Sequence, residues 1–321
     1  MCPRGITLRQ DFFSHYGRQL GTLSGLLGLI VVLWILTPHF LTVSNLLNVA
    51  QQATIIAIIA VGMTFVIITG GIDLSVGSVL AFAGVVMANA LLSGVPLPLA
   101  LLIGLGVGLL CGMTNGLLIT IGRLPPFIAT LGMMSVARGA ALMFTEGRPI
   151  SGFSEGFRSI ATGEILKIPT PVVIMIVVYL IAHFVLKRTK LGRYTYAIGG
   201  NEEAALLSGI NVKLNKTMVY GIAGLLSGLA AILLTARLNS AQPIAGMSYE
   251  LDAIAATVIG GTSLLGGEGT VSGTLIGALI MAVLRNGLNL LSVSSFFQQV
   301  VIGSVIIFAV LIDMALKRRG K

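Results

Sequence analysis

Residues Ala53–Thr69 read ATIIAIIAVGMTFVIIT, an apolar run without a charged side chain. About 20 mostly apolar residues, with a range of roughly 17 to 25, allow an α-helix to cross the hydrocarbon core of a bilayer. Gly70 and Gly71 follow the run and interrupt the helical pattern. The run is therefore predicted to be a membrane-spanning helix that ends at this glycine pair.

Nine further segments have the same apolar character, and one of them is too short to span in the ordinary way. The sequence thus predicts an all-α, polytopic membrane protein with about ten transmembrane helices. The short segment, Leu251–Ser263, is expected to be a broken or tilted helix. The ten segments are Leu20–Thr37, Ala53–Thr69, Ser75–Leu92, Leu97–Ile121, Phe127–Thr145, Thr170–Leu186, Thr217–Arg237, Leu251–Ser263, Thr270–Leu291 and Phe297–Leu316.

The composition supports lipid as the solvent of this chain. Hydrophobic residues make up 55% of it and charged residues only 10%, against about 25% charged residues in soluble domains. The 41 glycines suit transmembrane helices, which approach closely through small residues. The net charge of +9 resides in short connectors without interleaved aromatic residues, so we expect membrane lipid as a partner and no nucleic acid.

Lys and Arg are distributed unevenly between alternate connectors. Most of the 20 fall on one side, and the other side holds only Arg148, Arg158 and Lys167. By the positive-inside rule the rich side is cytoplasmic. This predicts a multi-pass protein of the bacterial cytoplasmic (inner) membrane with both termini in the cytoplasm. The predicted divisions are a cytoplasmic N-terminal segment at 1–19, a transmembrane domain at 20–316 with a cytoplasmic loop at 187–216, and a cytoplasmic basic tail at 317–321.

The stretch Glu146–Pro169 is the one sizeable connector that this orientation places outside. Its three basic residues, Arg148, Arg158 and Lys167, are balanced by three glutamates. It is the natural docking surface for an external partner. A solvated loop without any partner remains the alternative.

The cytoplasmic loop contains a short segment with the signals of a capped helix. Asn201 can cap it, and Glu202 and Glu203 then fall in the first turn, where carboxylates complement the helix dipole. Ala204–Leu207 continues the helix and Gly209 can end it. Such a brief helix is unstable alone in water, so we expect it to be ordered by lying against something.

These residues carry a family resemblance. Glu203, Ala204 and Ala205 followed by Gly209 resemble the E-A-A-x-x-x-G signature of ABC importer permeases, although the doubled glutamate leaves open whether Glu202 or Glu203 occupies the family position. Further stretches are similar to the sugar (ribose-type) branch of that family. They are Ala60–Thr64, Gly71–Ser78, Phe127–Leu131, Leu191–Tyr194, Gly199–Glu202, Tyr249–Ala256 and Gly260–Ser263.

The resemblance extends from about Thr37 to Asp313 and implies a function and partners. It implies a permease subunit that translocates a monosaccharide, ribose foremost, into the cytoplasm. The implied partners are an ABC ATPase subunit, whose groove receives the short helix, an external or periplasmic sugar-binding protein, and a second copy of the permease in a homodimer. The implied contact residues are Asn201, Glu202, Glu203, Ala204, Ala205 and Gly209.

The chain lacks the signatures of an energy source or a metal site of its own. No G-x-x-x-x-G-K-[ST] motif is present, so the P-loop route to nucleotide binding is excluded. His15, His39 and His183 stand apart from one another, and the two cysteines have no metal-ligand spacing. We therefore expect no cofactor, metal or catalytic residue on this chain, with ATP and Mg bound by the partner ATPase subunit.

Polar residues inside the predicted spans are candidates for the solute pathway. An Arg at a helix centre costs about 2.5 to 3.5 kcal/mol on insertion scales, so Arg138 is expected to face the bundle interior or a wet cavity. Arg285 and Asn289 share one face of the ninth segment, and Asn286 is next to them. Pathway lining and hydrogen bonding between helices remain open for these four residues.

Three acidic residues stand at predicted helix starts. Asp73 precedes the third segment, and Glu250 and Asp252 open the eighth. Each is interpreted as a helix-capping residue. A role of Asp73 in gating or in contact with a partner is the alternative.

A different class of transporter, an ion-coupled secondary sugar carrier acting alone, is the alternative function. Such a carrier would need a mid-membrane carboxylate or a histidine relay for its coupling ion. The acidic residues here cluster at the ends of the predicted helices. The carrier would also leave the short capped helix without a role.

Overall fold

The computed structural model describes residues 8–319 of the chain. Parts of the predicted N-terminal segment (1–7) and basic tail (320–321) lie outside them. Within the described range the chain is all-α apart from four two-residue strands. The helices are α1 Leu8–Leu36, α2 Val43–Ile68, α3 Val76–Leu92, α4 Leu97–Thr120, α5 Pro126–Thr145, α6 Glu155–Thr162, α7 Thr170–Arg188, α8 Lys190–Gly200, α9 Glu202–Leu207, α10 Val212–Leu238, α11 Tyr249–Ile259, α12 Val271–Leu290 and α13 Ser295–Arg319.

The four short strands form two antiparallel pairs. β1 (Ile150–Ser151) pairs antiparallel with β4 (Ser240–Ala241), and β2 (Glu164–Ile165) pairs with β3 (Ile168–Pro169). The β1–β4 pair joins the predicted external connector to the residues that follow α10. Asn239 Oδ1 strengthens this junction by accepting a hydrogen bond from the amide nitrogen of Phe153 at 3.2 Å.

Six helices of the described chain are long and apolar enough to cross a membrane: α2, α4, α5, α7, α10 and α12. Shorter apolar helical stretches occupy 20–36, 76–92 and 295–311. α11, which corresponds to the predicted short segment, has only 11 residues. The structure therefore agrees with an all-α, polytopic membrane protein, whereas the count of ten spans rests on the sequence.

α4 and α10 pack in direct backbone contact because glycines line both surfaces. A Cβ at Gly108 would overlap the carbonyl oxygen of Gly224, and a Cβ at Gly224 would overlap that of Gly108. One turn along, a Cβ at Gly112 would overlap the carbonyl oxygen of Tyr220. The two backbones thus touch without intervening side chains, the mode by which small residues bring transmembrane helices together.

Several helices are longer than the hydropathy pattern predicted. α2 begins at Val43 rather than Ala53, where Thr42 Oγ1 accepts a hydrogen bond from the amide nitrogen of Asn45 at 3.4 Å. The first turns of α2 carry polar side chains. These side chains interrupt the apolar run from which the helix was predicted, but they do not interrupt the helix itself. α8, which begins at Lys190, corresponds to no helix predicted from the sequence.

Candidate functional site

α9 has the predicted capped form. The side-chain oxygen of Asn201 accepts a hydrogen bond from the amide nitrogen of Ala204 at 2.9 Å, and Glu202 and Glu203 occupy the first turn. Lys216 Nζ forms an ion pair with Glu202 Oε2 at 2.6 Å. The start of α9 is therefore tied to the first turns of α10.

The end of α9 explains the glycine at position 209. Gly209 has φ +81°, a conformation that favours glycine. Its amide donates to the carbonyl of Leu206 at 3.0 Å, and the amide of Ile210 donates to the carbonyl of Ala205 at 3.1 Å. This pair of bonds is the Schellman motif, which ends a helix and turns the chain sharply.

The two faces of α9 differ in what they contact. Ala205 is 5% exposed and packs with Ile198 and Val212 of this chain. Leu206 and Leu207 are 61% and 83% exposed. Ala205 therefore packs against residues of its own chain, and its contact with the partner stays a prediction. The two exposed leucines lie on the outer face of α9. Neither was identified from the sequence as a contact residue.

α8 connects α9 to the rest of the protein. Thr189 caps α8 by accepting from the amide of Gly192 at 3.4 Å. The Tyr196 hydroxyl donates to the carbonyl of Gly269 at 2.6 Å. Burial raises the pKa of Tyr196 above its ordinary value, so the hydroxyl remains a protonated donor.

A glycine-rich loop at 260–269 completes this surface. The amide of Gly267 donates to the carbonyl of Ile68, the last residue of α2, at 2.9 Å. Gly199 of α8 lies against both groups. We call the assembly of α8, α9 and the 260–269 loop the coupling surface.

Arg138 donates hydrogen bonds to the chain segment that precedes α11. Its Nη1 donates to the carbonyl of Pro243 at 2.6 Å and to that of Ala245 at 2.8 Å. These carbonyls belong to a segment without regular structure, where backbone oxygens need partners. Both described bonds are to backbone carbonyls outside the helices, and the choice between pathway lining and bonding between helices stays open for Arg138.

Asn286 forms a hydrogen-bonded pair with an asparagine of α2, and its pathway role stays a prediction. It exchanges two hydrogen bonds with Asn45 of α2, at 2.9 and 3.0 Å, and both side chains are buried. The pair joins α2 to α12, and its two residues are 241 positions apart in the chain. Asn289 likewise accepts from Gln298 Nε2 at 2.8 Å and so joins α12 to α13. For both asparagines the structure favours bonding between helices.

Arg285 forms an ion pair that the sequence did not predict. Its Nη2 lies 2.7 Å from Asp252 Oδ2, with the Asp252 side chain 4% exposed and the Arg285 side chain 40% exposed. Asp252 is therefore not a simple cap, because its carboxylate is directed to α12. Opposite charges on consecutive apolar segments were the available signal for this contact.

The other two acidic residues, Asp73 and Glu250, lie near the starts of α3 and α11. Asp73 Oδ1 accepts from the amide of Ser75 at 2.8 Å. The cap position of α3 is Ser75, so this bond lies just before the helix and Asp73 is not its cap residue. Asp73 Oδ1 also accepts from the Ser75 hydroxyl at 2.6 Å. Glu250 lies in the first turn of α11. The cap position of α11 is Ser248, whose side chain makes no capping bond.

A cavity of about 110 Å³ lies between α2, α10, α11 and α12. Part of its lining is polar, and part is apolar side chains such as Met281. Arg285 is the only one of the four predicted pathway residues in that lining. The polar residues that line it are Gln52, Arg237, Tyr249, Asp252 and Arg285.

The three predicted docking residues are all exposed. Arg148 follows α5, Arg158 lies on α6, and Lys167 lies in the turn between β2 and β3. α6 is held by Phe157, which is buried and meets Phe153 edge to face at 5.2 Å between ring centroids. The connector is thus a folded surface rather than a loose loop.

Comparison with known proteins assigns the family. A family model for the branched-chain amino acid transport system / permease component matches residues 45–310. The Bacillus subtilis ribose import permease protein RbsC is 54% identical over 303 residues, covering 94% of each chain. Its namesake in Escherichia coli K12 is 49% identical over 317 residues, covering 98% of this chain and 99% of that one.

A permease with another named solute is more distant. The D-allose transport system permease protein AlsC of Escherichia coli K12 is 40% identical over 308 residues, covering 95% of this chain and 94% of that one. No solved structure matches. A permease of an ABC importer acts with an ATPase and a substrate-binding partner and is a transport component rather than an enzyme. The match over nearly the full length removes the alternative of a secondary carrier acting alone, and the chain belongs to this family of multi-pass ABC importer permeases.

Proposed function

We propose that this chain translocates ribose into the cytoplasm as one of two identical permease subunits of an ABC importer. The observation that supports ribose as the solute is the difference in sequence identity. The permeases named for ribose are 49–54% identical to this chain, and the one named for D-allose is 40% identical. Partly buried polar groups inside the bundle suit a neutral polyol, which needs hydrogen bonds rather than a counter-ion.

The proposed arrangement has ten spans and both termini in the cytoplasm. The six long helices, the three shorter apolar stretches and α11 make up the ten. Basic connectors support this orientation, since it leaves few Lys and Arg outside. The coupling surface then faces the cytoplasm, and the connector 146–169 faces the external binding protein.

The coupling surface is the proposed contact with the ATPase subunit. Burying an exposed leucine side chain in an apolar pocket of a partner is favourable by about 1.5–3 kcal/mol. Leu206 and Leu207 are both exposed, and the caps at Asn201 and Gly209 fix the direction of α9. ATP and Mg would be bound by that partner.

The test is reconstitution into proteoliposomes with the ATPase subunit and the ribose-binding protein. We expect ribose uptake that requires ATP and both partners, and weak competition by allose. Full uptake after omission of the ATPase subunit would contradict the proposal. Faster uptake of allose than of ribose would overturn the assignment of the solute.

A further inference from the structure

A buried carboxyl group lies in the connector between α2 and α3. This is Asp73, whose side chain belongs to a residue that is only 1% exposed. The connector packs against α5, where Thr130 Oγ1 donates to the carbonyl of Ile72 at 3.3 Å. It also packs against α10, because a Cβ at Gly71 would overlap the Tyr220 hydroxyl. Asp73 is thus enclosed by the helices although it belongs to none of them.

Among the side chains that the structure describes, no positive charge neutralises this carboxyl group. The carboxylates in the described ion pairs are Glu202 and Asp252. The titratable groups near Asp73 are Cys111 of α4 and Tyr220 of α10, and both types are uncharged at neutral pH. An ionised carboxylate without a partner is strongly unfavourable in such a place.

The hydrogen bonds around Asp73 lack one donor. The Ser75 hydroxyl gives its single proton to Asp73 Oδ1 at 2.6 Å and accepts from Asn115 Nδ2 at 2.9 Å. Asn115 Oδ1 is buried without a partner among the described residues. The opposite orientation of the amide would set its oxygen against the Ser75 oxygen, whose proton is already used. An acceptor without a donor therefore lies beside a carboxyl group that can carry a proton.

We propose that Asp73 binds a proton at neutral pH and that its Oδ2–H group donates to Asn115 Oδ1. The Asn115 side chain lies within hydrogen-bonding reach of the Asp73 carboxyl group. Each side chain of the cluster then donates to the next in a closed ring from Asp73 to Asn115 to Ser75. This ring joins the start of α3 to α4 without a buried charge, and hydrogen-bond networks are stable when every member is satisfied. The inference concerns the helix bundle and does not depend on the solute.

The environment of Asp73 sets the direction of its pH dependence. Burial raises the pKa of the Asp73 carboxyl group above its ordinary value. Between the unfolded value of about 3.9 and this raised value, the folded chain holds a proton that the unfolded chain releases. The contribution of Asp73 to stability is therefore greatest below the unfolded pKa and decreases as the pH rises through this window.

Asp73→Asn tests the proposal because an amide imitates the un-ionised acid. Its N–H group can donate to Asn115, and its oxygen can accept from Ser75. Infrared spectra of the purified protein in lipid at neutral pH are recorded for wild type and variant. The difference between them should contain the carbonyl band of a protonated carboxyl group. Bands of an ionised carboxylate in its place would overturn the proposal.

Tyr220→Phe is the matched control. It removes a buried hydroxyl near Asp73 that has no hydrogen-bond partner among the described residues, and removing such a group is nearly neutral or stabilising. The infrared band of the protonated acid should persist in this variant. Loss of the band in Tyr220→Phe would assign it to a cluster other than the proposed ring.

Thermal unfolding in detergent supplies a second measurement. As the pH rises from about 4, the melting temperature of the wild type should fall relative to that of Asp73→Asn, and Tyr220→Phe should follow the wild type. A rise of the wild type relative to Asp73→Asn would show an ionised carboxylate. An increase of the melting temperature on addition of sodium ions, absent in Asp73→Asn, would show that a metal ion takes the place of the proton. Either result would overturn the proposal.

Asp73→Leu separates the ring from simple burial. Leucine has a similar size but cannot donate or accept, so Asn115 and Ser75 both lose a partner. Its melting temperature should lie below that of Asp73→Asn at every pH, and reconstituted uptake should be kept in Asp73→Asn. A leucine variant as stable as the asparagine variant would contradict the ring. Loss of uptake in a normally stable Asp73→Asn would show that the importer needs the ionised group.

Discussion

Gly199 of α8 lies directly against the carbonyl oxygen of Ile68, the residue that ends α2. A Cβ at Gly199 would overlap this oxygen, and it would come within 2.5 Å of the amide nitrogen of Gly267. That amide donates to the same carbonyl at 2.9 Å. α8, the 260–269 loop and α2 thus meet at one point, and the loop continues directly from α11.

The first prediction concerns this point. Gly199→Ala should displace α8 from the 260–269 loop, so that ATP hydrolysis is no longer stimulated by loaded binding protein and solute uptake falls severalfold. The measurement is stimulated ATP hydrolysis in proteoliposomes. Gly200→Ala is the matched control because nothing lies within 4 Å of a Cβ at Gly200. Equal stimulation in both variants would remove this contact from the mechanism.

The second prediction concerns the outer face of α9. Leu207→Ser should weaken binding of the ATPase subunit at least about tenfold, because truncating an anchor side chain costs about 2 kcal/mol or more and about 1.4 kcal/mol corresponds to a factor of ten. Binding is measured by co-purification over a range of ATPase concentrations. Glu202→Gln should change binding much less, since an exposed ion pair contributes about 0.2–1 kcal/mol. The reverse order of effects would contradict the assigned anchor.

The third prediction concerns the end of α9. Gly209→Val should uncouple ATP hydrolysis from uptake, because a β-branched residue is strained at φ +81° and the left-handed conformation costs about 1–2 kcal/mol even for ordinary residues. Ala205→Trp should do the same by a different cause, since the indole would force α9 off its own core. Both are compared with wild type in stimulated hydrolysis after normal membrane insertion has been verified. Normal coupling in both would show that the direction of α9 is unimportant.

The fourth prediction separates a structural from a pathway role for Asn286. Asn286→Leu leaves the buried Asn45 Oδ1 without its donor, although Asn45 Nδ2 keeps its bond to the carbonyl of Phe40. Hydrogen bonds between transmembrane helices contribute about 0.6–1.7 kcal/mol. The unfolding temperature in detergent should fall, and the double variant with Asn45→Leu should recover part of the loss. Solute selectivity should be unchanged in both. A changed selectivity at normal stability would return Asn286 to the pathway.

The fifth prediction concerns orientation. Single cysteines at Ser154 and Ser208, both exposed, are introduced into a chain without Cys2 and Cys111. An impermeant thiol reagent outside sealed cells should label position 154 and spare position 208 until the membrane is opened. Labelling of both positions from outside would refute the proposed orientation.

The features predicted well from sequence depend on residues that are neighbours along the chain. The cap at Asn201 and the helix end at Gly209 are set within one or two turns, so their side-chain chemistry is legible locally. Long apolar runs such as that of α2 are equally legible because the bilayer imposes a minimum length. The starts of α2 and α10 were placed too late, because polar side chains form their first turns, and the short helices α6 and α8 were not predicted.

The pairings between helices could not be read in the same way. Asn45 meets Asn286 across 241 residues, and Arg285 meets Asp252 across 33. Each side chain alone is compatible with lining a pathway or bonding a neighbour. The choice depends on which helices become adjacent, and that is decided by backbone contacts such as Gly108 with Gly224.

That glycine contact has a consequence for biosynthesis. α4 ends at Thr120 and α10 ends at Leu238, so more than a hundred residues must be synthesised before the two helices can meet. At about 5–20 residues per second, this takes on the order of ten seconds. During that time the glycine surface of α4 is exposed to lipid or to the insertion machinery. A nascent chain arrested before α10 emerges should therefore be degraded faster than one released after it, which a pulse-chase experiment can measure.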